Sequence, residues 1–159
     1  MFNLQIKYLS FFFGLISVLS FFNIIYSYYL NLYLNLDTYY LTLMISLIIS
    51  VLFYKIKTSE KKSSIFEKIL TVFFGYLLIP LILSIPFYFS IYNLTFLDSY
   101  FEAISGFTST GFTIFENIKH IDQSLILWRS TTQWIGGLYF LFSIVFLIDI
   151  YDESFEKTL

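Results

Sequence analysis

Gly106 to Phe115 reads GFTSTGFTIF. Two glycines, three threonines and a serine fall within ten residues, while the chain on either side is mostly Phe, Leu, Ile and Tyr. Glycine opens backbone angles closed to other residues, and hydroxyl side chains add oxygens to those of the backbone. Such a run suits a backbone that is to be used, not merely buried.

The surroundings decide the class. The chain has 159 residues, 58% hydrophobic and only 13% charged, where a soluble domain of this length is nearer a quarter charged. That leaves too little polar surface to clothe a water-soluble globule, so the expected class is an all-α integral membrane protein. The net charge of −2 says nothing about partners, because the charges are clustered; no nucleic-acid partner is expected. Cysteine is absent and there is one histidine, which excludes a disulfide framework and leaves no basis for a Cys/His zinc site.

Four apolar stretches are long enough to cross a bilayer: roughly Tyr8 to Leu30, Thr38 to Tyr54, Ile69 to Ser90, and Leu125 to Ile150. The last carries Arg129 and Gln133 near its start. A cleaved signal peptide is the rival reading of the first, but no small-x-small cleavage pattern follows its long apolar run. Lys55, Lys57, Lys61, Lys62 and Lys68 all fall between the second and third stretches. By the positive-inside rule that loop is cytoplasmic, and so are both termini. The region from Ser90 to Gln123 then faces outside. Gly75, Pro80 and Pro86 predict bends in the third span.

The quoted run lies between spans three and four, in a stretch too apolar for a water-exposed loop. Before it, LDSYFEAISGFT reads as a short helix, with Ser99 and Glu102 as a capping box and Asp98 adding negative charge at its start. Tyr100 to Thr108 makes roughly 13 Å of helix, which reaches only partway into a core about 30 Å thick. Extended residues can climb back about 3.3 Å each. The geometry predicts a re-entrant loop: a pore helix down, a filter strand back. Its unpaired backbone is tolerated only if it is buried in protein or lines a water path, and rings of such carbonyls hold hard cations. Rival readings fit less well. The phosphate loop needs lysine where Phe112 stands. The G-x-S-x-G elbow needs a different spacing around Ser109. A small-residue packing face needs a continuous helix. His120 and Asp122 lack a third partner for catalysis, so no enzyme is expected.

FEAISGFTSTGFT, followed by LILWRSTTQWIGGLYFLFSIV, resembles the first pore repeat of the TrkH/TrkG/KtrB potassium transporter superfamily. In that superfamily each repeat is helix, pore helix, filter strand, helix, and four unequal repeats in one chain surround one pore. The TrkH branch adds two helices in front. The resemblance implies a two-helix transmembrane hairpin over 1–54, a basic cytoplasmic loop over 55–64, one helix–pore–helix repeat over 65–150 and a cytoplasmic tail over 151–159. It implies a filter at Ser109, Thr110, Gly111 and Phe112, with K+ held by the backbone carbonyls of Ser109, Thr110 and Gly111. Ser109 stands where the family often has threonine. Thr108, Thr113, Arg129, Gln133, Gly136 and Gly137 are expected to support the filter, the two glycines by close packing against the pore helix.

Arg129 in a span is costly unless it snorkels or is paired. Glu102 and Glu116 are its candidate partners. Its role is either that of an interfacial anchor, with Trp128 and Trp134 in an aromatic belt, or a direct effect on the pore's potential.

The expected function is potassium or monovalent-cation uptake in a bacterial inner membrane, with one quarter of a filter ring supplied by this chain. The alternative is a non-conducting membrane protein or remnant. One filter segment does not enclose a pore. The remaining repeats are expected from a longer version of the same chain, from a companion chain or from self-association. The family resemblance further implies a cytosolic nucleotide-binding regulatory subunit. No organic cofactor is expected, and the lasting contact is with membrane lipid.

Overall fold

In the computed structural model the described residues are 6–56 and 64–156, with side chains described except at Lys119 and over 148–156. Most of the expected basic loop, including Lys57, Lys61 and Lys62, lies outside the described residues, as do 157–159. The chain forms α1 (Ile6–Tyr29), α2 (Leu36–Lys55), α3 (Ile65–Leu83), α4 (Ile85–Tyr88), α5 (Phe96–Phe107), a 3₁₀ turn (Ile118–His120) and α6 (Gln123–Glu156). Among the described residues, four stretches are long and apolar enough to span a bilayer: Ile6–Tyr29, Leu36–Lys55, Ile65–Tyr88 and Gln123–Leu147. The protein is all-α, as expected. The expected filter strand is an irregular segment, with no strand assigned from 109 to 117. The last helix runs on to Glu156, past the residue 150 at which the repeat was expected to end.

Helices 1 and 2 form an antiparallel hairpin held by more than apolar contact. Ser10 Oγ donates to the Ser50 carbonyl, and Ser50 Oγ donates back to that of Ser10, each at 2.8 Å. Phe12, Phe13 and Ile16 of α1 are buried, while Phe11, Phe21 and Phe22 of the same helix are exposed. A helix apolar all round suits a surface bathed in lipid.

At the end of the bundle opposite the basic loop, a polar latch ties the hairpin to α6. Buried Asn35 donates to Asp122 Oδ2 at 3.0 Å and accepts from the Ile91 N–H at 3.1 Å. Ser124 also donates to Asp122, and Tyr39 shares a 2.9 Å hydrogen bond with Ser124. The Asp122 N–H meets the Tyr92 hydroxyl at 2.7 Å. In this apolar setting each satisfied polar atom avoids a penalty of about 1–3 kcal/mol.

Two S-x-x-E patterns occur near helix starts, and only one is a capping box. Ser64 and Glu67 bond reciprocally at the start of α3, at 3.3 and 3.0 Å. The box expected at Ser99 and Glu102 does not form. Helix 5 starts earlier, at Phe96, capped by Thr95, whose Oγ1 accepts from the Asp98 N–H at 3.2 Å. Ser99 therefore sits within the helix, where its hydroxyl donates to the Thr95 carbonyl. The twelve residues of α5 make about 18 Å of helix.

The third span breaks at Ser84, between α3 and α4. Pro86 has no N–H to continue the ladder. The Leu83 carbonyl at the break accepts from the indole N–H of Trp128 at 3.0 Å. Trp128 is fully buried, which removes it from the aromatic belt expected at the interface; only Trp134 is exposed. Gly75 serves packing: a β-carbon there would fall on the Tyr139 hydroxyl, which donates to the Val72 carbonyl at 2.9 Å.

Candidate functional site

Helix 5 brings the threonine-rich run against α6. Its last residue, Phe107, is buried between the rings of Tyr76 and Tyr139, with centroids 5.6 and 5.3 Å away. A β-carbon at Gly136 would land on the Phe107 carbonyl, and one at Gly106 on Thr132 Oγ1. These two glycines let the backbones of α5 and α6 approach closely. A β-carbon at Gly137 would meet nothing within 4 Å, so of the two glycines it is Gly136 that packs against α5.

The helix ends in a Schellman motif. The Thr110 N–H reaches the Ser105 carbonyl at 3.1 Å, and the Ser109 N–H reaches the Gly106 carbonyl at 2.9 Å. Ser109 takes the left-handed position of the motif, with φ 57°, and Gly111 follows at φ 79°. Hydroxyls reinforce the turn. Thr108 Oγ1 donates to the Ile104 carbonyl at 2.7 Å, and Thr110 Oγ1 donates to the Ser105 carbonyl at 3.1 Å. Residues 108–112 are all exposed, Phe112 to 69%.

Behind this exposed run lies a buried charge pair. Glu102 is fully buried and Arg129 nearly so. Arg129 Nη1 stands 3.1 Å from Glu102 Oε1, but off the angle for a hydrogen bond, so this contact is ionic. The carboxylate's hydrogen bonds go to the segment after the turn. Thr113 Oγ1 lies 3.1 Å from each carboxylate oxygen, and the Ile114 N–H donates to Oε2 at 3.1 Å. Arg129 Nη2 donates to the Gly111 and Phe112 carbonyls, both at 3.3 Å. Ser105 Oγ donates to the Phe112 carbonyl at 2.7 Å. Helix 5, the segment that follows it and α6 are thus joined through one carboxylate and one guanidinium. The carbonyls of Ser109 and Thr110 accept no hydrogen bond among the described residues.

Of the residues singled out in the sequence, Thr108 to Thr113, Arg129 and Gly136 come together here. Gln133, one turn beyond Arg129 on α6, is exposed and makes no hydrogen bond to this network among the described residues. Of the two candidate partners for Arg129, Glu102 is the one that pairs with it, and Glu116 is exposed. Sequence reading missed Ser105, Gly106 and Thr132. Helical spacing held a signal, since Glu102, Ser105 and Gly106 share one face.

The family model of TrkH, described as a cation transport protein, matches residues 36–158. An uncharacterized cation transporter of Methanocaldococcus jannaschii is 28% identical over 127 residues, covering 79% of this chain and 27% of that protein. The Trk system potassium uptake protein TrkG of Escherichia coli is 41% identical over 46 residues, covering 29% of this chain and 10% of that protein. The Trk system potassium uptake protein TrkI of Halomonas elongata is 37% identical over 60 residues, covering 38% and 11%. The chain thus spans between about a tenth and about a quarter of the length of these relatives. The match extends from the start of the second helix through the exposed turn and its charge pair and past the end of α6, and the chain belongs to the TrkH cation transport protein family.

Proposed function

We propose that Thr108 to Phe112 supplies one quarter of a selectivity filter for a monovalent cation, potassium being the ion named for the Trk relatives. The observation that carries this reading is the exposed irregular backbone of 108–112, set in a bundle whose outer faces are apolar. Such backbone is tolerated at membrane depth only against protein or water. Its hydroxyls and free carbonyls are hard-oxygen ligands for a cation. The Ser109 and Thr110 carbonyls accept no hydrogen bond among the described residues. That of Gly111 also accepts from Arg129 and keeps its second lone pair for an ion. The C-terminal end of α5 adds the negative pole of its dipole.

Helix 5 is read as re-entrant, with 1–54 as a peripheral hairpin, 65–150 as the pore repeat, the basic loop 55–64 and the tail 151–159 cytoplasmic, and the cell membrane as the location. Three further filter segments complete the ring, from the same longer chain, a companion chain or self-association. A cytosolic nucleotide-binding subunit regulates the assembly by family resemblance. The role is transport rather than catalysis, with K+ as cargo.

The test is rubidium uptake by cells deficient in potassium uptake, expressing this chain together with whatever repeats complete its pore. Gly111→Asp is expected to abolish uptake. Unchanged uptake with normal membrane levels of the variant would refute the assignment.

A further inference from the structure

We infer that the groove between α1 and α2 is a binding site for one anionic phospholipid, with an acyl chain along the groove and the phosphate on Lys7. This goes beyond ion handling and rests on the chain spanning a membrane with its N-terminus on the cytoplasmic side. The groove holds about 540 Å³ and is lined by Lys7, Phe11, Gly14, Leu15, Val18 and Tyr54, with Ser10 and Ser50 on its floor.

Three observations select the occupant. The floor is apolar in effect, because the hydroxyls of Ser10 and Ser50 are spent on each other's carbonyls. An occupant lying there needs no polar groups. Charge sits at one end only. Lys7 lines the mouth beside Tyr54 and makes no ion pair among the described residues. Lys55, which follows Tyr54, is exposed. Basic pockets between transmembrane helices at the cytoplasmic face are the setting in which anionic head groups bind. The length also fits. Lys7 to Val18 spans about 16 Å of helix, close to half of a hydrocarbon core about 30 Å thick. That is one leaflet, the reach of a single acyl chain. Gly14 opens the groove, since a β-carbon there would already stand 3.2 Å from Ser50 Oγ.

The experiment uses the full 159-residue chain, purified in detergent and titrated with phosphatidylglycerol or phosphatidylcholine, with bound lipids counted by native mass spectrometry. The first phosphatidylglycerol is expected to bind more tightly than phosphatidylcholine. Lys7→Gln should weaken phosphatidylglycerol by about fivefold, the worth of one lysine at a membrane surface, and leave phosphatidylcholine unchanged. Val18→Trp, which fills the end of the groove farthest along α1 from Lys7 and starts from an exposed position, should weaken both. Lys7→Gln decides the matter even if Val18→Trp fails to fold. Equal binding of the two lipids, or unchanged phosphatidylglycerol binding by Lys7→Gln, overturns the proposal. A protein dimer that Val18→Trp dissociates in the absence of lipid overturns it too, by placing a second copy in the groove.

Discussion

Glu102→Gln is the most informative single change to the charge pair. Glutamine keeps the shape and removes the charge. One carboxylate oxygen faces the Ile114 N–H and the other faces Arg129 Nη1. Glutamine must point its NH₂ at one of them, so either orientation sets donor against donor. It also leaves the buried guanidinium without its counter-charge. Breaking one side of a buried pair costs about 3–5 kcal/mol. Arg129→Gln should cost a similar amount, because it strips the Gly111 and Phe112 carbonyls of a donor and leaves Glu102 charged and unpaired. In the double variant neither orphan charge remains. The double loss should therefore fall short of the sum of the singles by about 2 kcal/mol, within the range seen for residues in direct contact. The assay is unfolding of the purified chain in mixed micelles of rising denaturing-detergent fraction, followed by helical circular dichroism. Hydrogen exchange at the Ile114 amide should also quicken in Glu102→Gln. A single variant within about 0.5 kcal/mol of wild type, the range of ordinary surface changes, or strict additivity in the cycle, refutes the reasoning.

The remaining predictions concern the turn and its seat. Gly136→Ala, whose methyl would meet the Phe107 carbonyl, should cost about 1–3 kcal/mol because a backbone must move. Gly137→Ala, with open space around it, should be neutral or stabilise by up to about 1 kcal/mol through helix propensity; equal effects in the same unfolding assay would contradict the packing described. Ser109→Gly should stabilise by up to about 1 kcal/mol, since it relieves a left-handed non-glycine residue at the entropic cost of glycine. Destabilisation would mean that the Schellman turn is not what holds Ser109. Thr95→Ala should cost about 1 kcal/mol as the loss of an N-cap, and Ser99→Ala clearly less; the reverse order would restore the cap to Ser99.

Several features were legible because their causes are local in sequence. Span lengths depend on runs of apolar residues, and each of the four expected spans lies within a few residues of a helix. The turn at 108–111 was legible as a break because Gly, Ser and Thr are poor helix formers in sequence. The start of α5 was misplaced because Ser99-x-x-Glu102 and Thr95-x-x-Asp98 both satisfy a capping pattern. The buried Arg129 draws Glu102 away from the helix start. Trp128 was read as an interfacial ring, since indole suits that zone. The break at Ser84 instead offered its N–H the Leu83 carbonyl inside the bundle.

Composition and the motif from Phe101 to Gly137 by themselves determined the membrane class, the four apolar spans and the family, because apolar runs and spacings are written along the chain. They left open which acid meets Arg129, which glycine is needed for packing and which carbonyls stay free. Those were decided by tertiary structure. Helix 5 had to lie on α6 before Gly136 met Phe107, before Glu102 rather than Glu116 met Arg129, and before the guanidinium took the carbonyls of Gly111 and Phe112 and left those of Ser109 and Thr110 open. Such choices depend on distances across the bundle, which the spacing of residues along one strand of sequence does not encode.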